Sequence, residues 1–286
     1  MPLKSTSQTS RTLLLAVVFL LAGLIQPALA DYHLATWNMK HLGWKDSERD
    51  WGRTAQVISP FDFVAIQELH TERAIERLDR ALETVTGEKW DFLISGRAIG
   101  SKRYKEYYAY IWRASRFKYT GHATIFLDND RWFFREPFSA RFMSSDRQHD
   151  FIAANIHIIY GDSVEQREDE AHKLDEYVDW LNETFVKGEG AQGILLFGDF
   201  NLPPQSNAFN ELRKRMRPAM VTGASTLSKA DWKFANLYDQ IWYKGIQPEF
   251  AGIFAFPSTL KVRHGYARDK ISDHAPLFIR LPERKK

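Results

Sequence analysis

The feature that most constrains this chain is the run Ile194-Leu195-Leu196-Phe197-Gly198-Asp199-Phe200-Asn201, in which an apolar segment of strand length gives way at a glycine to polar residues. Residues two apart project to the same side of an extended backbone, so Asp199 and Asn201 are expected to face one cleft. A carboxylate and an amide together suit a metal-bound or phosphate-bearing ligand. A strand closed by Gly-Asp also reads as an ordinary turn. The rest of the chain repeats the device, with strand patterns over His33 to Asn38, Phe61 to Gln67 closing on Glu68, and Phe151 to Ile158 carrying Asn155 and His157. Tyr238 to Tyr243 carries Asp239 near its start, and Ser272-Asp273-His274 immediately precedes the strand Pro276 to Leu281.

Helical spacing supplies the other elements. Trp51, Ala55, Val57 and Ile58 mark a short helix stopped by Ser59-Pro60, and Ala74, Ile75, Leu78, Ala81, Leu82 and Val85 mark a core-packing one. Val164, Ala171, Leu174, Val178, Leu181 and Phe185 predict one long amphipathic helix. Tyr107 to Arg113, Phe117 to Leu127 and Phe138 to Met143 read as consecutive antiparallel strands. Strand-helix-strand units near both ends give two halves alike in outline, without a repeat or a linker. The expected fold class is α/β: one domain, a two-sheet β-sandwich flanked by helices, with polar groups gathered at one sheet edge.

Composition bounds the setting. In 286 residues, 44% hydrophobic, there is enough apolar material for a large core, and with no cysteine that core must supply the stability. Lys4 and Arg11 precede the uncharged run Thr12 to Ala30, which ends Ala28-Leu29-Ala30. This is the pattern of a cleavable secretory signal over residues 1–30, leaving residues 31–286 as the domain in a secreted or periplasmic protein. A retained membrane anchor is the competing reading, and the apolar core is short for a full span. Cleavage leaves 37 Lys+Arg against 36 Asp+Glu, because Lys4 and Arg11 are removed from the 39. So nearly neutral a surface predicts local, transient contact with any nucleic acid. No stable membrane association is expected, and the chain is expected to be a monomer.

Several side chains carry two readings each. His157 in an apolar strand is either a hydrogen-bonded core residue or a proton-transfer group. The basic loop Gly96 to Lys105 is either a solvated connection or, with Tyr104, Tyr107 and Tyr108 beside it, a contact for a nucleic-acid backbone.

Taken in order, the motifs are Thr36-Trp37-Asn38, Ile66-Gln67-Glu68, Tyr104-Lys105-Glu106, Arg135-Glu136-Pro137, Asn155-Ile156-His157, Gly198-Asp199-Phe200-Asn201, Tyr238-Asp239 and Ser272-Asp273-His274. Together they resemble the endonuclease/exonuclease/phosphatase superfamily, and within it pancreatic-type deoxyribonuclease I most closely, over essentially the whole chain after residue 30. The resemblance implies the four-layer deoxyribonuclease I-like fold and metal-dependent hydrolysis of phosphodiesters, with DNA as substrate and little sequence preference. It implies His274 oriented by Asp239 as general base, His157 paired with Glu106 as general acid, and Asp199 and Asn201 placing phosphate and water. The division of acid and base between the two histidines stays open. Glu68, with Asn38 and Asp273, would hold Mg²⁺, with Mn²⁺ or Ca²⁺ as alternatives. Arg135 is then a phosphate clamp or else a surface ion pair with Glu136, and Tyr104 a groove-stacking residue or a packed tyrosine. The chain departs from the family pattern at Lys40 and His70, where arginines contact the groove, which leaves groove depth and sequence preference open. Two further readings are an exported phosphodiesterase of the sphingomyelinase type, with Trp132-Phe133-Phe134 as its membrane-facing aromatics, and a nuclease-like toxin subunit that needs partner chains.

Overall fold

Alternation along the strands decides the architecture, which a computed structural model describes for residues 31–45, 48–102, 104–230 and 232–283. The expected signal segment lies outside the described residues, and Asp31–Arg284 forms one compact unit. The first strands in chain order are β1 (Tyr32–Leu42), β2 (Phe63–Leu69), β3 (Trp90–Ile94), β4 (Ile99–Gly100), β5 (Lys105–Arg113), β6 (Phe117–Ile125) and β7 (Phe138–Ser144). They are followed by β8 (Asp150–His157), β9 (Gly193–Asp199), β10 (Arg217–Pro218), β11 (Asp239–Lys244), β12 (Phe250–Ile253) and β13 (Leu277–Leu281). One sheet has the order β12-β13-β1-β2-β5-β3, with β4 on β5, and the other β10-β11-β9-β8-β7-β6.

Leu34, Phe63, Ala65, Tyr110, Phe142, Phe151, Ala153 and Phe197 fill the space between the sheets. Their neighbours in sequence point outward: Ala35, Trp37 and Val64 pack under the helices α1 (Trp51–Ile58) and α2 (Glu72–Thr86). Ile152, Ala154 and Leu196 pack under α3 (Val164–Ala171) and α4 (Leu174–Leu181). Helix, sheet, sheet, helix is the expected four-layer arrangement, produced by period-two alternation with both faces of each sheet apolar. The likeness of the halves is real, because β1–α1–β2 and β8–α3–α4–β9 each connect a parallel strand pair through helices.

Three expectations change. β5 and β6 are consecutive in sequence but lie in different sheets, so only β6, β7 and β8 form the antiparallel series. The aromatic content that marks them as strands does not encode which edge they join. The single long helix is broken: α3 ends at Ala171, α4 starts at Leu174, and a wider π turn over Asn182–Lys187 follows. Gly198 does not break β9, which runs through to Asp199. A Cβ at this glycine would sit 2.2 Å from the Ile156 carbonyl oxygen of β8, so the residue is required by close backbone approach and not by a turn.

Polar residues then succeed apolar ones on the inner faces at one end of the sandwich. Asn155 on β8 reaches across to the other sheet, its Nδ2 donating to the carbonyls of Ile66 (3.0 Å) and Ala109 (3.2 Å) while its Oδ1 accepts from Gln67 (2.7 Å). The aromatic cluster below it is centred on Phe63, whose ring lies 4.9–5.9 Å from those of Tyr110, Phe117, Phe142, Phe151 and Phe197. Phe63→Ala is expected to destabilise the fold by about 3–5 kcal/mol, the range for emptying a large aromatic site that cannot collapse. The urea midpoint of unfolding checks this.

Candidate active site

Both strands that open the site are interrupted. The β1–β2 register shifts between Asn38 and Leu42, and the β2–β5 register between Ile66 and Leu69. Lys40, His41 and Glu68 have φ of 43°, 55° and 61°, a left-handed conformation that L residues hold only where surroundings enforce it. Such bulges re-aim side chains, and here they turn Glu68 toward the gap between the sheets.

Asn38 joins the sheets. Its Nδ2 donates at 3.0 Å to Glu68 Oε1 and at 3.0 Å to Asp199 Oδ2 on the facing sheet. Its Oδ1 accepts the backbone N–H of Lys40 (2.9 Å), and its carbonyl accepts Ser272 Oγ (2.7 Å), whose oxygen in turn accepts the His274 N–H (3.0 Å).

On either side of Asp199 stands a histidine held by a second carboxylate. His157 Nδ1 lies 2.9 Å from Glu106 Oε1, and its backbone N–H donates to Tyr108 Oη at 2.8 Å. His274 Nδ1 lies 2.8 Å from Asp239 Oδ2. With Nδ1 engaged, each ring presents Nε2, and the two Nε2 atoms stand 3.7 and 3.8 Å from the same Asp199 Oδ2. His157 is thus buried and hydrogen-bonded through Nδ1 while its Nε2 faces Asp199.

These surroundings set the protonation. Burial and Arg135 oppose a charge on His157, but Glu106 and Asp199 outweigh them and raise it. Burial likewise opposes the His274 charge, yet Asp239 and Asp199 push it up to about 10. Burial raises the Asp199 carboxyl, and His274 offsets only part of that. At Glu68 burial is outweighed by the His41 hydrogen bond and the His157 charge, so the group stays below the usual carboxylate range.

The remaining expected residues fall into place unevenly. Arg135 is 4% exposed; it donates to the carbonyls of His157 (3.0 Å) and Ile158 (3.2 Å) and lies 3.8 Å from Glu106. It supports the Glu106–His157 pair from behind, while Glu136 pairs instead with Arg97 at 3.1 Å. Asn201 turns with φ 49°, so extended geometry is not what places it; its Nδ2 donates to Ile158 O (2.8 Å) and its N–H to Asp199 Oδ1 (3.0 Å). Asp273 stands 3.7 Å from Lys40 Nζ and 3.6 Å from an Arg268 nitrogen. Lys40 also donates to the Arg268 carbonyl (2.5 Å), so its charge is engaged at the rim. Tyr104 meets His41, His70 and Trp44 edge-on and lies under the influence of Glu68 and Glu106; burial first, then those carboxylates, raises its hydroxyl. His70 hydrogen-bonds the Lys105 carbonyl at 2.9 Å. His41, which no motif marks, lies 2.9 Å from Glu68 through Nδ1 and donates its backbone N–H to Glu68 at 2.8 Å.

Glu68 and Asp199 share one amide between them, and a pair of carboxylates so spaced suits a hard divalent cation that keeps some of its water. The alternative cluster Asp199, Asp239 and His274 is accounted for by the His274–Asp239 hydrogen bond.

The model of the Endonuclease/Exonuclease/phosphatase family matches residues 35–274, which span this whole constellation. The chain belongs to that family. It is 40% identical over 271 residues to a protein named Deoxyribonuclease from Thioalkalivibrio sp. (strain K90mix), covering 92% of this chain and 74% of the relative. Deoxyribonuclease-1-like 1 of Sus scrofa is 26% identical over 284 residues, covering 94% and 85%. Among solved structures, a family protein from Bacteroides vulgatus superposes with a TM-score of 0.63 at 19% identity, covering 89% of this chain and all (100%) of that one. A mannosyl-6-phosphatase from Bacteroides thetaiotaomicron gives 0.61 at 16%, covering 87% and 98%. The solved structures establish the shared fold and leave the substrate to other arguments.

The His274–Asp239 pair has a direct signature. Since the folded value of about 10 exceeds the 6.5 of a free imidazole, the pair's stabilisation is complete below pH 6.5 and is lost as pH rises through about 10. In cation-free protein, NMR titration of the ring carbon protons is expected to show His274 still protonated at about pH 8, and Asp239→Asn is expected to move its midpoint down.

Proposed function

We propose that this chain is an exported, Mg²⁺-dependent phosphodiesterase that nicks double-stranded DNA with little sequence preference. The observation that carries the reading is the convergence of two carboxylate-held imidazoles on Asp199, beside the Asn38–Glu68 pair. Hydrolysis of a phosphodiester needs a water deprotonated, a leaving oxygen protonated and negative charge offset, and these groups supply all three within one cleft. Glu68 and Asn38 would hold the ion, which when bound supplies positive charge to the phosphate oxygens. His157, kept protonated by Glu106, donates to the leaving oxygen. His274 serves as base only once the negative field that raises it is reduced, and Asp199 is the second candidate acceptor. Asn201 and Arg135 act as positioning residues, fixing the end of β8 and the Glu106–His157 pair.

The deoxyribonuclease name of the 40% identical relative supports DNA as substrate. The near-neutral charge supports brief binding, and Trp44 at 54% exposure beside half-buried Tyr104 offers aromatic surface next to the site. Of the proposed membrane-facing aromatics Trp132-Phe133-Phe134, the lipid-phosphodiesterase alternative keeps only Phe134 as an exposed ring. Phe133 is buried in the core under α3 and α4, and Trp132 is covered by the Lys173 ammonium at 4.6 Å. Among the described residues no helix is long and apolar enough to cross a membrane. Export rests on the pattern of residues 1–30, with the mature chain starting at Asp31.

On supercoiled plasmid with Mg²⁺, His157→Ala and His274→Ala are each expected to lower nicking by at least about 10²-fold while far-UV circular dichroism shows both variants still folded at the assay temperature. Chelator is expected to stop the parent enzyme. Equal or faster release of choline phosphate from sphingomyelin would favour the lipid reading instead, and full activity of the isolated chain would remove the need for toxin partners.

A further inference from the structure

Glu68 faces two ways. Oε1 accepts from Asn38 toward Asp199, whereas Oε2 lies 2.9 Å from His41 Nδ1 on the outer side. His41 Nδ1 is in turn 3.3 Å from His70 Nε2, and the three ligand atoms lie within 4.8 Å of one another. Metal–ligand bonds of about 2.1 Å in octahedral or tetrahedral geometry place neighbouring donors about 3.0–3.4 Å apart, which matches the two short contacts.

A second observation concerns the lone pairs. His70 Nδ1 is 2.9 Å from the Lys105 carbonyl, which can only accept, so Nδ1 carries the proton and Nε2 presents its lone pair to His41 and Glu68. A backbone carbonyl fixing the far nitrogen is the arrangement that orients metal-ligating imidazoles. The indole of Trp44 stacks on both rings, 4.2 Å from His41 at 14° and 4.3 Å from His70 at 28°, and covers the trio. A hydrogen bond from His41 Nδ1–H holds the three together in the ion-free chain, and binding replaces that proton, which passes to solvent.

We propose that His41, Glu68 and His70 form a nitrogen-rich cation site that takes a borderline transition-metal ion such as Zn²⁺, Co²⁺ or Ni²⁺ in preference to Mg²⁺ or Ca²⁺. Two imidazoles and one carboxylate suit those ions, whereas Mg²⁺ and Ca²⁺ favour oxygen. The inference is independent of which phosphoester the enzyme cleaves, because occupancy is read without substrate.

Co²⁺ titrated into chelator-treated, tag-free full chain is expected to bind one ion per chain, with a visible absorption band and quenching of tryptophan fluorescence. Both signals are expected to persist in millimolar Mg²⁺. His41→Ala and His70→Ala should each weaken Co²⁺ at least about 10-fold, and the double variant should abolish the band. His70→Gln, closer in size, guards against a packing effect, and Trp44→Phe should lose most of the quenching while keeping the band. An absent band in the parent protein, a band unchanged in the double variant, or full displacement of Co²⁺ by equimolar Mg²⁺ would overturn the proposal. None of these outcomes depends on plasmid nicking, so this site and the nuclease reading fail separately.

Discussion

Asn38 ties the two sides of the candidate site together. One amide nitrogen donates to Glu68 on its own sheet and to Asp199 on the other, each at 3.0 Å, and so fixes the width of the cleft between two independently hydrogen-bonded sheets. Everything else at the site is referenced to it. The backbone of the same residue anchors Ser272, and Ser272 sets the backbone of His274. Asp199, held on the far side, is the oxygen toward which both imidazoles point. A buried amide between two carboxylates satisfies acceptors that would otherwise repel each other in a poorly screened space.

The sandwich below serves as a positioning device. Its inner faces are apolar as far as Ala65, Tyr108, Ala153 and Phe197, then become polar two residues further on at Gln67, Glu106, Asn155 and Asp199. The buried Asn155–Gln67 bridge marks that transition, and with its hydrogen bonds matched it ties the sheets in register where the chemistry begins. Arg135 extends the same logic outward: a buried guanidinium spent on two carbonyls and one carboxylate stiffens the end of β8. The result is a site built on strand ends, where positions vary less than on loops.

Much of this was legible in the sequence because alternation is a strong signal. The polar closures at Asn38, His157, Asp199 and Asp239, and the helices covering both sheets, follow from period-two and helical spacing, whereas Glu68 is turned inward by a bulge. What stayed hidden has a physical cause in each case. His41 was invisible because the left-handed residues at positions 40 and 41 break strand parity, so no alternation pattern predicts where its ring goes. Asn201 reached the site through a tight turn and not through extended geometry. The break between α3 and α4 falls at His172 and Lys173, inside an uninterrupted apolar periodicity. The assignment of β5 and β6 to different sheets depends on long-range pairing, about which local composition is silent. Arg135 reads in the sequence as a phosphate clamp or a surface ion pair with Glu136, and only the packed structure shows it buried behind His157.

Under the proposed function, one phosphodiester sits between His157 and His274, over Asp199 and beside Glu68. A crystal structure with Mg²⁺ and a slowly cleaved phosphorothioate dinucleotide, located by the anomalous signal of its sulfur, tests this most directly. The predicted result is a phosphorus atom within reach of both Nε2 atoms and a cation bonded to Glu68. A dinucleotide bound on another surface, with the two imidazoles still closed on Asp199, would contradict it.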